Sequence, residues 1–170
     1  MSGRGGRDSR APPPRVQLPL LDRLIDDAPD TLRETPLSAA EAMGVLRRAV
    51  RRDLEALLNA RRRWNSWPSS LGELRVSPLA FGIPDFTSGT FNDQGHRVRL
   101  CSEIEETIRR FEPRFVTVKV SLVDAPNALE PTLRLRIEAL LHAEPAPEPV
   151  SFDTMVDPTT SDVVVRQHDA

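Results

Sequence analysis

Apolar residues recur at two different intervals along this chain, and the change from one to the other divides it. From Met43 the interval is helical. Met43, Leu46, Val50, Leu54 and Leu57 form one stripe, as on a helix with a single face turned inward. Ser38 followed three residues later by Glu41 is a capping-box pattern, which predicts where this helix starts. Ser102 with Glu105 repeats the pattern and predicts a second, shorter helix, its inward face built from Ile104, Ile108 and Phe111. Pro113 disfavours helical geometry at Glu112 and predicts that the helix ends there.

Beyond that corner the interval drops to two. Val116, Val118, Val120 and Leu122 point one way, and Thr117, Lys119 and Ser121 the other. Leu133, Leu135, Ile137 and Ala139 repeat the alternation, as in an antiparallel pair covered on one face. After the spacer AEPAPEP, VSFDTMV and DVVVR predict a last hairpin across DPTTS. Its edge is either capped or open to strand addition. Between the two helices, Trp64 to Asp93 is punctuated by Pro and Gly and predicts loop, with a helical turn around Ser70 to Leu74. Upstream, Leu18, Leu21, Leu24 and Ile25 share one face of a helix too short to be stable alone, so it must dock on this protein or on another. Residues 1–19, rich in Gly, Arg and Pro, predict a disordered tail. That leaves 20–168 as a single α+β domain with an N-terminal helical arm: an antiparallel sheet with helices packed on one face.

Composition narrows the chemistry. A length of 170 residues suits one domain, and a net charge of −2 gives no whole-chain attraction to a polyanion. The single cysteine, Cys101, excludes an intramolecular disulfide. His96, His142 and His168 are far apart, with no Cys or His at ligand spacing, so neither a metal nor a cofactor is expected. No apolar run reaches the length of a signal peptide or membrane helix, which predicts a cytoplasmic protein without direct membrane insertion. The arginines at 47, 48, 51, 52, 62 and 63 fall largely off the helical stripe. Neighbouring acids make them a solvated face rather than a nucleic-acid surface.

The residues that invite a chemical reading are Glu112, Pro113 and Arg114, at the switch from helix to strand. Glu112 as a glycosidase acid would need a second carboxylate, with Asp53 or Asp85 available. Arg109, Arg110 and Arg114 stand close in sequence, and nearby positive charge lowers a carboxylate pKa where a general acid needs it raised. The other readings are a structural ion pair that fixes the corner and a charged docking point for another subunit. Asp53 falls inside the apolar stripe, beside Leu46 and Leu57, and must be paired or close to solvent. Gly82, Pro84 and Asp85 predict a tight turn between Phe81 and Phe86 as core anchors.

Four blocks then occur in order: RRDLEALLNARRR, SPLAFGIPDF, FEPRFVTVKV and PVSFDTMVDPTTSD. Together, from about Leu18 to Val165, they resemble TssE, the baseplate subunit family of the bacterial type VI secretion system. That family is similar to a small wedge protein of contractile-tail phage baseplates, historically called lysozyme-like. The resemblance implies a structural, non-enzymatic protein that joins other wedge subunits to the contractile sheath and helps initiate sheath assembly. It implies a fold like the sheath subunits' interlocking domain and no small-molecule substrate. Glu112, Pro113 and Arg114 then match the family's signature for wedge contacts, and the arm residues Leu21, Leu24 and Ile25 are further candidates for partner binding. Phe81 stands where the family usually has Tyr, Ile83 where it has Leu, and Ser161 where the last turn has Gly.

Overall fold

A computed structural model describes residues 16–25, 29–30, 36–62, 68–84, 94–123, 133–144, 146–156 and 162–168. Its elements in chain order are α1 (Leu20–Leu24), α2 (Ala39–Asn59), two 3-10 segments (Ser69–Val76 and Pro78–Ala80), α3 (Gln94–Phe111), β1 (Phe115–Val123), β2 (Leu133–Leu141), β3 (Glu148–Val156) and β4 (Val163–Gln167). The four strands make one antiparallel sheet in the order β1-β2-β3-β4. The fold is α+β, as the change of interval predicts.

α2 begins where Ser38 accepts from the Glu41 amide and Glu41 reaches back to the Ser38 amide, a complete capping box. Its stripe of Leu46, Val50, Leu54 and Leu57 is buried, and Ala42, Ala49 and Leu58 widen it. α2 packs on β4 and α3 on β1, so one face of the sheet is covered. Between the layers lie Leu54, Leu58, Ile104, Ile108, Ile137 and Phe152, all at or below 2% exposure. Each such side chain is worth about 1.5–3 kcal/mol for leaving water, so this layer sets the mutual position of helix and sheet.

Two expectations about the elements fail. α3 starts at Gln94, not at Ser102, and Ser102 lies mid-helix with its hydroxyl donating to Val98 O at 3.2 Å. Burial of Leu100 and Cys101 extends the apolar face backward from Ile104 by about one turn and overrides the apparent cap. Val116 does not join the inward row. The β1–β2 register slips between Phe115 and Thr117, leaving Val116 45% exposed while Phe115 packs against the core. The extra residue at this bulge turns the strand as it leaves the corner. The 3-10 segment at Ser69–Val76 matches the turn read around Ser70 to Leu74.

Gly82 makes a close backbone approach with φ +101°; a Cβ there would stand 2.3 Å from Ala60 O. That approach lets Ile83 N donate to Ala60 O at 3.0 Å and Arg62 N to Ile83 O at 2.9 Å, fastening the loop to the end of α2. Phe81, expected as a core anchor, is instead 38% exposed and meets Phe111 edge to face at 5.4 Å. Phe86 and Asp85 lie outside the described residues.

Both outer edges of the sheet meet side chains. On β4, Asn59 donates to Val163 O at 2.8 Å and accepts from Val163 N at 2.8 Å, while Arg51 donates to Val165 O at 3.3 Å. On β1, Glu105 accepts from Val120 N at 3.2 Å and Arg109 donates to Val118 O at 3.4 Å. In this structure the side chains of Asn59 and Arg51 cap the outer edge of the last hairpin.

Candidate functional site

The corner is built by three elements. α3 ends at Phe111, and Glu112 N still donates to Ile108 O at 2.8 Å. Pro113 and Arg114 form the turn, closed by Phe115 N donating to Glu112 O at 3.2 Å. Arg114 O then accepts from His142 N at 2.8 Å, which ties the turn to the end of β2. Glu112 is 5% exposed and is the one charged residue among the described residues that are buried.

Arg114 resolves that burial. Its Nε donates to Glu112 Oε1 at 2.5 Å, and its Nη2 meets both Glu112 Oε2 and Asp53 Oδ2, the latter at 2.7 Å. Asp53, 61 positions away on α2, therefore shares one guanidinium with Glu112. Its other oxygen accepts from Arg52 Nε at 3.1 Å, and Arg52 in turn holds both oxygens of Asp22 at 3.1 and 3.2 Å. Five alternating charges thus run from the corner through α2 to the arm: Glu112, Arg114, Asp53, Arg52, Asp22. A buried charge survives only where it is paired and bonded in this way. Burial alone would lower the Arg114 pKa; the bonds and charges of Glu112 and Asp53 together outweigh it and hold it above the ordinary value. Arg52 is raised as well, chiefly by its bond to Asp22 and then by Asp53.

The sequence-named residues divide as follows. Asp53, Glu112 and Arg114 come together, and Pro113 lines a cleft of about 470 Å³ with them. The rest of that cleft is mostly apolar: Leu57, Phe81, Phe111, and Pro19 and Leu20 from the arm. Of the three arginines near Glu112 in sequence, only Arg114 reaches it; Arg109 pairs with Glu105 and Arg110 with Glu106. Leu21, Leu24 and Ile25 are 55%, 73% and 50% exposed, and α1 buries no residue. Val16, within the stretch that composition reads as a tail, packs against the core. Asp85 lies outside the described residues. Sequence reasoning missed Arg52 and Asp22 as members of the chain of charges. Asp22 carries no distinguishing signal, and Arg52 is one of a run of similar arginines.

Chemically the arrangement binds and braces. Both oxygens of Glu112 are engaged by one guanidinium, which braces the carboxylate at the corner. Asp53, the other carboxylate of the enzyme reading, is held by the same guanidinium. On α2, Arg47 pairs with Glu148, Arg51 with Glu55 and Arg62 with Glu103, so much of the arginine face is neutralised in place. Among the described residues no group of His, Cys, Asp and Glu could hold a metal ion, and no helix is long and apolar enough to cross a membrane.

A family model described as baseplate wedge protein gp25 matches residues 45–146. The chain belongs to that family. The matched span of this gp25-like wedge protein takes in Asp53 and the whole Glu112–Arg114 corner, together with β1 and β2; the arm and the β3–β4 hairpin fall outside it. The anti-adapter protein IraD of Salmonella arizonae is also similar, 34% identical over 98 residues that cover 58% of this chain and 71% of that protein. The family is a structural baseplate family, and baseplate wedge proteins partner with other baseplate proteins.

Proposed function

We propose that this gp25-like protein is a TssE-type baseplate subunit of a bacterial type VI secretion system, without enzymatic activity. It works in the cytoplasm, at the baseplate on the inner membrane's cytosolic face, where it links wedge subunits to the contractile sheath and helps start sheath assembly. The observation that carries this reading is the family match, because it spans the braced corner. The corner supplies what a wedge joint needs: a rigid charged turn beside an apolar cleft, flanked by an arm with exposed leucines. Apolar anchors would supply affinity there, and charges would fix register. Catalysis by Glu112 is disfavoured by the two hydrogen bonds its carboxylate accepts from Arg114.

Affinity purification of the tagged full chain from its native bacterium tests the proposal. Baseplate and sheath subunits should co-purify. Leu24→Asp, at a position 73% exposed, should weaken their recovery without shifting the melting temperature. Absence of such subunits from the wild-type eluate would sink the reading. A second reading, a free-standing regulatory binder, draws on the similarity to a protein named as an anti-adapter. Recovery of one unrelated regulatory partner in place of baseplate subunits would favour it.

A further inference from the structure

The arm runs across the corner. Pro19, Leu20 and Arg114 line the cleft of about 470 Å³ and also a second cleft of about 560 Å³. Residues common to two cavities form the wall between them. Leu57 and Phe111 face the first cleft, while Leu46 and His142 face the second. The chain on either side of Pro19 therefore divides what would otherwise be one groove, with Arg114 in its floor.

The arm is seated the reverse way to a firmly docked amphipathic helix. Val16, Leu18, Pro19 and Asp22 are half-buried, whereas Leu20, Leu21, Leu24 and Ile25 stay exposed. What the arm turns toward the body at α1 is a carboxylate, and Arg52 holds both of its oxygens. The Arg52 side chain is itself 42% exposed. A pair of that exposure shifts a balance between closed and open arm by up to about fivefold. Such a hold suits a contact that is made and broken.

We infer that the arm is an autoinhibitory strap. In the free molecule the chain's own arm occupies the groove and covers Arg114, and a partner reaches the corner only after the Asp22–Arg52 latch opens. The segment that takes the arm's place has to match its chemistry: aliphatic side chains for the groove and a carboxylate for Arg52. That a partner docks at this corner rests on the baseplate reading; that the arm shuts the groove does not.

The test is Asp22→Asn in the full chain, which removes the charge of the latch and keeps the shape of the side chain. The probe is anilinonaphthalene sulfonate, an apolar dye with one anionic group. Its binding, read by fluorescence, should strengthen by about two- to fivefold over the wild type, with the melting temperature unchanged. Amide exchange at Leu21 and Leu24 should rise by a similar factor. Adding Phe81→Ala removes part of the groove wall and should cancel the gain in dye binding. In purification from the native bacterium, Asp22→Asn should raise the recovery of baseplate subunits, the opposite of Leu24→Asp. Equal or lower recovery would show that the arm meets its partners where it lies, and would overturn the inference. So would dye binding equal to that of the wild type, or a gain that survives Phe81→Ala. If the wild type recovers no baseplate subunit, the baseplate reading falls, and the dye titration still decides whether the arm shuts the groove.

Discussion

Arg114 is the residue on which most of the corner's electrostatics converge. Removing it leaves Glu112 buried with neither oxygen paired by a cation. Breaking a fully buried pair from one side costs about 3–5 kcal/mol. Because the Arg114 side chain is 25% exposed, we expect Arg114→Ala to cost about 2 kcal/mol in urea unfolding, after discounting for solvent. Combining it with Glu112→Gln should recover part of that loss, since the neutral amide no longer needs a counter-charge. A double-mutant cycle with no coupling would show the pair to be idle. The sequence placed Asp53 in an apolar stripe, paired or close to solvent, and its side chain is 37% exposed and bonds Arg114 and Arg52. It gave no means of choosing Arg114, because a contact across 61 positions depends on the packing of α2 against the α3–β1 turn.

At the scale of elements, the ends and crossings matter more than the interiors. Ser38→Ala removes the α2 cap and should cost about 1 kcal/mol. Glu41 has a pKa held below its ordinary 4.5, first by its bond to the Ser38 hydroxyl and then by the Ser38 amide. A depressed native pKa contributes stability that is present above the unfolded value and fades as pH falls through the native one. The gap between wild type and Ser38→Ala should therefore narrow in thermal melts taken below pH 4.5. Gly82→Ala forces a Cβ into Ala60 O and a left-handed φ onto alanine, and should cost about 3 kcal/mol or abolish folding. The helix and strand interiors were legible because each keeps one interval over several turns or residues. The start of α3 was not: Ser102 and Glu105 imitate a cap, while Gly95 and its polar neighbours hide the continuation to Leu100. The spacing of Leu100, Ile104 and Ile108, four apart each time, is the signal that finds it. Val116 misled in the opposite sense, because alternation cannot announce a bulge.

Across the whole molecule, the described body is rigid where helices meet sheet and loosely held at the arm. α1 buries nothing and is tied by Asp22 to the partly exposed Arg52. Ion pairs of that exposure contribute at most about 1 kcal/mol and weaken with salt. Arg52→Ala should leave the unfolding midpoint almost unchanged and yet raise amide exchange at Leu20 to Leu24, and high salt should do the same to the wild type. If exchange there is unaffected, the arm is held by contacts other than this pair. Fold class, strand pairing and the corner were readable because they are local or periodic. The chain of five charges and the Asn59 cap were not, since each joins elements whose relative placement no sequence interval encodes.

Cys101 packs at 8% exposure on α3 against the common core, and burial, ahead of any neighbouring charge, pushes its thiol pKa up. As the sole sulfhydryl of the chain, it gives the molecule a chemical clock. Burial slows its reaction with a thiol reagent until the surrounding core opens, so labelling kinetics report that opening. Any neighbour that clamps this helix in place will slow the clock, and the factor by which it slows will measure the clamp without a tag or dye being added.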